Sequence, residues 1–175
     1  MSDFDQLIDR RHSHSTKWEK YAGQDILPFW VADMDFAAPD FIRNALHERL
    51  EHPIIGYTRP PTSLTEAFQG WLYHHYGWSI PAEWVVWLPG VVPGMNMAAR
   101  CLSAKQRLMI PTPVYYPFLD IAENAQRQDV RVPLILDRGV WRMDLEHMQS
   151  QIAGVKMVMI ANPQNPTGRA YTQAE

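Results

Sequence analysis

"RLMIPTPVYYPFLDIAENAQRQDVRVPLIL", residues 107–136, sets the reading of the fold. Its opening "RLMIPTP" is an apolar run closed by prolines, and its closing "DVRVPLIL" is rich in Val, Leu and Ile, as strands are. Between them Phe118, Ile121, Ala122 and Ala125 recur at helical spacing. Strand, helix, strand over so short a stretch is the repeating unit of a parallel sheet, whose neighbouring strands need a crossover connection.

The same alternation extends in both directions. Upstream, "EWVVWLPG" (83–90) reads as a short buried strand, and "PGMNMAARCLS" (93–103) as a helix starting at Pro93. Downstream, Asp144 suits the cap of a helix running to Gln151, and "VKMVMIAN" (155–162) is a further strand. From residue 83 the predicted order is β, α, β, α, β, α, β, an α/β layer with a largely parallel sheet. Before it, "APDFIRNALHERLEH" (38–52) places Phe41, Ala45, Leu46 and Leu50 at helical spacing. "SLTEAFQGWLYHHYGW" (63–78) has a capping-box pattern at Ser63 and Glu66, and Gly77 suits its stop. Residues 1–36 read as irregular.

The chain has 175 residues, 46% hydrophobic and 20% charged, enough apolar content to bury a core. The formal net charge of −3 and the scattered basic residues argue against a nucleic-acid surface, and Arg10-Arg11 reads as a solvated pair. A single cysteine, Cys101, excludes an internal disulfide and favours a reducing compartment, the cytoplasm; on its apolar helix it reads as buried and inert. The N-terminus lacks the apolar segment of a signal peptide, and no run is long enough for a membrane span. The seven tryptophans read mostly as core. His12, His14, His74 and His75 complete no metal-ligand set, so no metal is expected.

Ligands of open parallel sheets sit at the carboxyl ends of strands, and three such ends are unusual here. "LPGVVPGM" runs from Gly90 into a helix start, where free amides favour an anion such as phosphate; a ligand-free tight turn is the alternative. It matches neither a Walker loop nor GxGxxG. "PTPVYYPF" stiffens Tyr115 and Tyr116 with prolines 111, 113 and 117, so that one ring can stack on a ligand and the other hydroxyl can donate; two packed tyrosines are the alternative. "NPQNPTG" places Asn162 and Asn165 before prolines, which bias both toward extended backbone and fit them to present a side-chain amide; a plain proline turn is the alternative.

Together these loops resemble the fold-type I pyridoxal-phosphate enzymes, the aspartate aminotransferase superfamily of classes I and II. The order "IDRR", "KW", "WVADMDF", "GYTR", "PGVVPG", "TPVYYPF", "NPQNPTGR" resembles more closely its MalY/PatB-type cystathionine β-lyases, over essentially the whole chain. The resemblance implies a three-layer α/β/α fold, here the N-terminal part of the large cofactor domain. Residues 1–52 would form an arm and first helix, and residues 53–175 the front of that domain.

Position by position, the resemblance implies that amides around Val91 and Val92 hold the phosphate of pyridoxal 5′-phosphate. Tyr115 would stack on its ring, Asn165 would bond its phenolic oxygen, and Tyr116 would stand near the substrate in proton handling. Tyr57 would reach the phosphate of a neighbouring subunit in a homodimer. Ala32, Asp33 and Met34 would line the pocket for the substrate carboxylate. The implied reaction is β-elimination of L-cystathionine or another cysteine S-conjugate to thiol, pyruvate and ammonia.

In the family, the lysine that holds the cofactor covalently, the aspartate at its ring nitrogen and the arginine for the substrate carboxylate come after "NPxNPxG". Lys17, Lys20, Lys105 and Lys156 occupy no matching position. The 175 residues therefore read as an N-terminal fragment, expected to be inactive alone. The alternatives are an aminotransferase of the same fold and a non-catalytic, regulator-binding fragment.

Overall fold

The computed structural model describes residues 4–173. The chain divides into two compact units, Met1–Arg59 and Pro60–Glu175.

The first unit contains a one-turn helix α1 (Thr16–Glu19) and α2 (Asp40–Leu50), joined by irregular chain. Its organising feature is ionic. Lys17 is buried, and the carboxylates and carbonyls of residues 33–35 gather around it and Arg10. No residue of α2 is buried.

The second unit begins with α3 (Thr62–Tyr76), which ends where Gly77 takes the left-handed conformation, φ +62°. The expected capping box does not form. The helix opens at Thr62 behind an extended Pro61, so Ser63 already lies inside the first turn and no side chain caps the start.

Residues 83–90 correct a second expectation. A 3-10 turn, Ala82–Trp84, leads into extended chain that joins no ladder, and Trp84, Val86, Trp87 and Leu88 are all exposed. Apolar character alone does not make a strand, because backbone N–H and C=O groups need a partner strand at about 5 Å. An apolar cavity of about 630 Å³ adjoins this segment, lined by Trp87 and Leu88 together with Met157 and Met159. The segment is held instead by side chains: Trp87 Nε1 donates to Thr65 Oγ1 at 3.3 Å, and its ring meets Phe68 edge-on at 5.7 Å.

Beyond Gly90 the alternation holds. Helix α4 (Val91–Arg100) starts two residues before Pro93, directly after Gly90. Strand β1 (Arg107–Thr112), α5 (Pro117–Asn124) and β2 (Gln128–Pro133) come next. Strand β2 ends at Pro133, earlier than the sequence suggests, and the Leu134 N–H makes a last bond to the Thr112 carbonyl at 2.6 Å. The chain then makes a separate hairpin of β3 (Ile135–Asp137) and β4 (Val140–Arg142), turned at Arg138 and Gly139, both at positive φ. Helix α6 (Leu145–Ser150) and strand β5 (Val155–Val158) complete the order. Asp144 caps α6 as expected, its Oδ1 accepting from the His147 N–H at 2.9 Å. Three of the strands form a parallel sheet in the order β2-β1-β5.

The core obeys the strand period of two. Leu108 and Ile110 of β1 pack with Ala99 and Leu102 at the end of α4, with Phe118, Ile121, Ala122 and Ala125 of α5 and the residue after it, and with Met159. Met109, on the opposite face, packs with Val130 and Val132, and partly with Met148 of α6. Helices α4 and α5 thus pack on one face of a short parallel sheet, and α6 reaches the other through Met148. Burying each Leu or Ile stabilises by about 1.5–3 kcal/mol, which makes β1 and α5 the anchor of the unit. The tryptophans lie outside this core: Trp30, Trp71, Trp78, Trp84 and Trp87 are exposed, contrary to the sequence reading. Cys101 is exposed too, because it follows the last turn of α4 rather than lying on its inner face.

Candidate cofactor site

Parallel pairing puts the carboxyl ends of β1, β2 and β5 at one end of the sheet. The loop after β1 holds Tyr115 and Tyr116 and passes directly into α5. The chain after β5 holds residues 162–168. The ladder between β1 and β5 runs to Met109 and Val158, and a last backbone bond joins the Met159 N–H to the Met109 carbonyl at 3.0 Å.

Past that point a side chain ties the two loops together. Gln164 is buried, 3% exposed, and its Nε2 donates to the Pro113 carbonyl at 2.6 Å. Its Oε1 accepts from Thr167 Oγ1 at 3.0 Å and from the Thr167 N–H at 3.3 Å. The backbone closes the same turn, with Gln164 N–H donating to the Arg169 carbonyl and Gly168 N–H donating to the Gln164 carbonyl, both at 2.7 Å. Sequence reasoning assigned Gln164 nothing. Its signal is a polar residue between two Asn-Pro steps, and only the tertiary structure shows that it points inward.

The two asparagines now separate. Asn162 Oδ1 accepts from the Tyr171 N–H at 3.1 Å, which commits its carboxamide to the fold. Asn165 is exposed, and its side chain makes no hydrogen bond among the described residues. Of the pair, Asn165 is the one available to a ligand. Tyr115 and Tyr116 stand edge to face, ring centroids 5.1 Å apart, with Tyr115 38% and Tyr116 64% exposed. The loop presents both rings rather than packing them.

Val91 and Val92 are the first two residues of α4, so their N–H groups have no carbonyl to bond inside the helix. Gly90 precedes them at φ +149°, a conformation that L side chains rarely adopt, and a Cβ there would stand 3.5 Å from Pro93 Cδ. Backbone amides, positive helix-end potential and a bare glycine form a cradle suited to phosphate.

The remaining predicted residues lie in the first unit. Tyr57 is fully exposed. Ala32, Asp33 and Met34 belong to an irregular stretch tied down by two cations. Arg10 spans Asp33 Oδ2 and Asp35 Oδ1, both at 2.7 Å, and Lys17 Nζ donates to the Asp33 carbonyl at 2.9 Å and to Asp35 Oδ2 at 2.7 Å. Trp18 Nε1 adds a bond to Asp35 Oδ1 at 2.9 Å. The hydrogen bonds from Lys17 and Trp18, with that from Arg10, hold the Asp35 carboxyl well below the usual carboxylate range. Arg10 is therefore a structural fork, not a solvated cation, while Arg11 pairs with Asp9 in the open. Among the described residues no hydrogen bond uses the N–H groups of residues 32–34. A cavity of about 640 Å³ in this unit is lined by Trp18, Tyr21, Asp35 and Phe36 but by none of Ala32, Asp33 or Met34, so volume alone does not mark the site.

Residues 24–175 match the family model described as aminotransferase class I and II. The chain belongs to that family. The cystathionine β-lyase PatB of Bacillus subtilis is 34% identical over 99% of the chain and 46% of its own length. The solved structure of OvoB superposes with a TM-score of 0.92 at 41% identity, covering 99% of the chain and 46% of OvoB. The C-S lyase of Staphylococcus hominis, solved with bound pyridoxal phosphate and L-cycloserine, superposes with a TM-score of 0.89 at 34% identity, with the same coverage. The chain thus spans about half the length of the relatives it matches. Its parallel sheet with packed helices is the corresponding part of an aminotransferase-type α/β fold, incomplete relative to theirs. Among the described residues no group of three or more His, Cys, Asp or Glu could hold a metal ion, and no helix is long and apolar enough to cross a membrane.

Proposed function

We propose that this chain carries the N-terminal share of a pyridoxal-phosphate site in a carbon–sulfur lyase acting on an amino-acid thioether such as L-cystathionine. The carrying observation is the pinning of two loops at one end of the sheet, which leaves the Tyr115 ring and the Asn165 carboxamide exposed and unspent. When bound, pyridoxal phosphate supplies the electron sink that allows loss of a Cα proton and departure of a thiolate from Cβ.

The residues present suit that group. The amides of Val91 and Val92 hold its phosphate, with Gly90 keeping the approach open. Tyr115 gives a stacking face, and Asn165 donates to the phenolic oxygen. Tyr116, the more exposed of the pair, holds a proton at its hydroxyl near the substrate. The free N–H groups of Ala32, Asp33 and Met34 receive the substrate carboxylate. Tyr57 serves the phosphate of a second subunit, which makes the working form a homodimer. A cytoplasmic setting goes with the single exposed thiol of Cys101.

The family also contains aminotransferases, and the description of the matched model names that activity. A chimera joining residues 1–175 to the remaining portion of the Bacillus relative separates the two. Pyruvate and thiol released from L-cystathionine support the lyase. A keto acid retaining the substrate's carbon skeleton identifies a transferase and overturns it.

A further inference from the structure

We infer that Gln164 is a positioning residue of this site, the side chain that sets the Tyr115–Tyr116 loop against the Asn165 turn. The inference rests on the cofactor reading proposed for these loops. It starts from where the sheet stops acting. Ladder bonds between β1 and β5 end at Met109 and Val158, with one further bond from Met159. Beyond them β1 runs on to Thr112 beside β2 alone, and the ligand-facing groups of both chains lie in loops past the strands.

A buried carboxamide needs partners for both its ends, and the partners of Gln164 are divided between the loops. Its donor end reaches Pro113, fifty-one residues away in sequence and two residues before Tyr115. Its acceptor end holds Thr167, two residues after Asn165. Its own backbone closes the turn through Arg169 and Gly168. One residue therefore fixes the turn that displays Asn165 and joins it to the loop that displays the tyrosines. A side chain of different length or without a donor cannot do both. Asparagine keeps the chemistry but is one methylene shorter, so it cannot span from the turn to Pro113. Glutamate keeps the length but, when ionised, offers no donor.

The test uses the 175-residue chain, with Q164N, Q164E and T167V beside the wild type. Hydrogen exchange is followed at Phe118 and Leu119, whose amides bond the carbonyls of Tyr115 and Tyr116. Binding of pyridoxal phosphate is followed by tryptophan fluorescence, and the thermal midpoint is recorded for each variant. At pH 7, Q164N and Q164E should raise exchange at those two amides about tenfold and weaken cofactor binding about tenfold, the loss of one buried hydrogen bond. T167V, which keeps the Pro113 bond, should change exchange there less than about twofold.

In Q164E, protection corrected for intrinsic exchange should return as the carboxyl is protonated and regains a donor, a recovery that a purely packing role would not show. Unchanged exchange at Phe118 and Leu119 in both Gln164 variants overturns the inference. So does a fall in cofactor affinity that only tracks a fall in thermal midpoint. A wild-type chain that binds no cofactor overturns the site reading instead, and the exchange arm reports separately whether the tie exists.

Discussion

Lys17 Nζ stands 2.7 Å from Asp35 Oδ2 and 2.9 Å from the carbonyl of Asp33, and Arg10 closes the same pair of aspartates from the other side. Two cations and two carboxylates thereby hold a stretch in which residues 32–34 are all exposed. Because the Asp35 carboxyl is held below its usual range, chiefly by the hydrogen bond from Lys17, its contribution to stability has a definite sign with pH. It is fully present above the unfolded-state value of roughly 3.9 and is lost as pH falls through the lower folded-state value. The first unit should therefore lose thermal stability below about pH 4. Asp35→Asn should lower the midpoint at pH 7 and flatten the acid limb. Tryptophan fluorescence melts across the acid to neutral range check this, and an acid limb unchanged in the variant refutes it.

Ile121 is completely buried between α5 and β1, in the cluster with Leu108 and Ile110. Ile121→Ala should cost about 2–5 kcal/mol through lost burial and the cavity left behind. The exposed apolar control Val86→Ala, in the segment that joins no strand, should cost under about 0.5 kcal/mol. Urea unfolding followed by far-ultraviolet circular dichroism measures both. Comparable losses would mean that residues 83–90 are packed in solution.

That contrast also shows what the sequence could reveal. Helical spacing at Phe118, Ile121, Ala122 and Ala125 placed the correct face inward, and all four are buried. The Asp144 cap was legible because capping is local. Residues 83–90 misled because a strand is defined by its partner, and an apolar run carries no information about whether a partner is present. The hairpin at Arg138-Gly139 was hidden beside a run that looked like one strand. At the site, the three loops were visible from their prolines and glycines. The roles of Arg10, Lys17 and Gln164 were not, since each is fixed by partners sixteen to fifty-one positions away.

Gly90 adopts φ +149° immediately before the first amides of α4. Gly90→Ala should destabilise the second unit by about 1–3 kcal/mol through backbone strain. It should also weaken pyridoxal-phosphate binding more than it weakens binding of pyridoxal, which lacks the phosphate. Parallel fluorescence titrations with the two compounds make the comparison, and an equal loss for both would remove the phosphate from this helix end.

None of the four lysines lies in either loop. Lys17 is committed to Asp35, Lys20 lies 4.2 Å over the Trp30 ring, Lys105 is in the turn before β1, and Lys156 is in β5. The purified 175-residue polypeptide should therefore release no pyruvate from L-cystathionine above the cofactor-only background. A coupled lactate dehydrogenase assay with varied protein concentration measures this. Pyruvate release proportional to that concentration would show that a group within these residues does the work assigned to a lysine elsewhere in the family.

Asn162 and Asn165 give the sharpest test, because they share a motif and differ in what holds them. The Asn162 carboxamide is bonded to the Tyr171 N–H, and that of Asn165 makes no hydrogen bond among the described residues. Removing the first deletes the bond from the Tyr171 N–H and should lower stability by about 1 kcal/mol. Removing the second takes away nothing that folding uses. Asn165→Ala should therefore leave the urea midpoint within error and weaken pyridoxal-phosphate binding by about tenfold, the worth of one good hydrogen bond to an anionic oxygen. Asn162→Ala should show the reverse order, a lower midpoint with a smaller change in affinity. The two measurements on two variants form a crossed design. If Asn162→Ala shows the larger loss of affinity, the assignment of Asn165 as the donor is wrong, whatever becomes of the rest of the site.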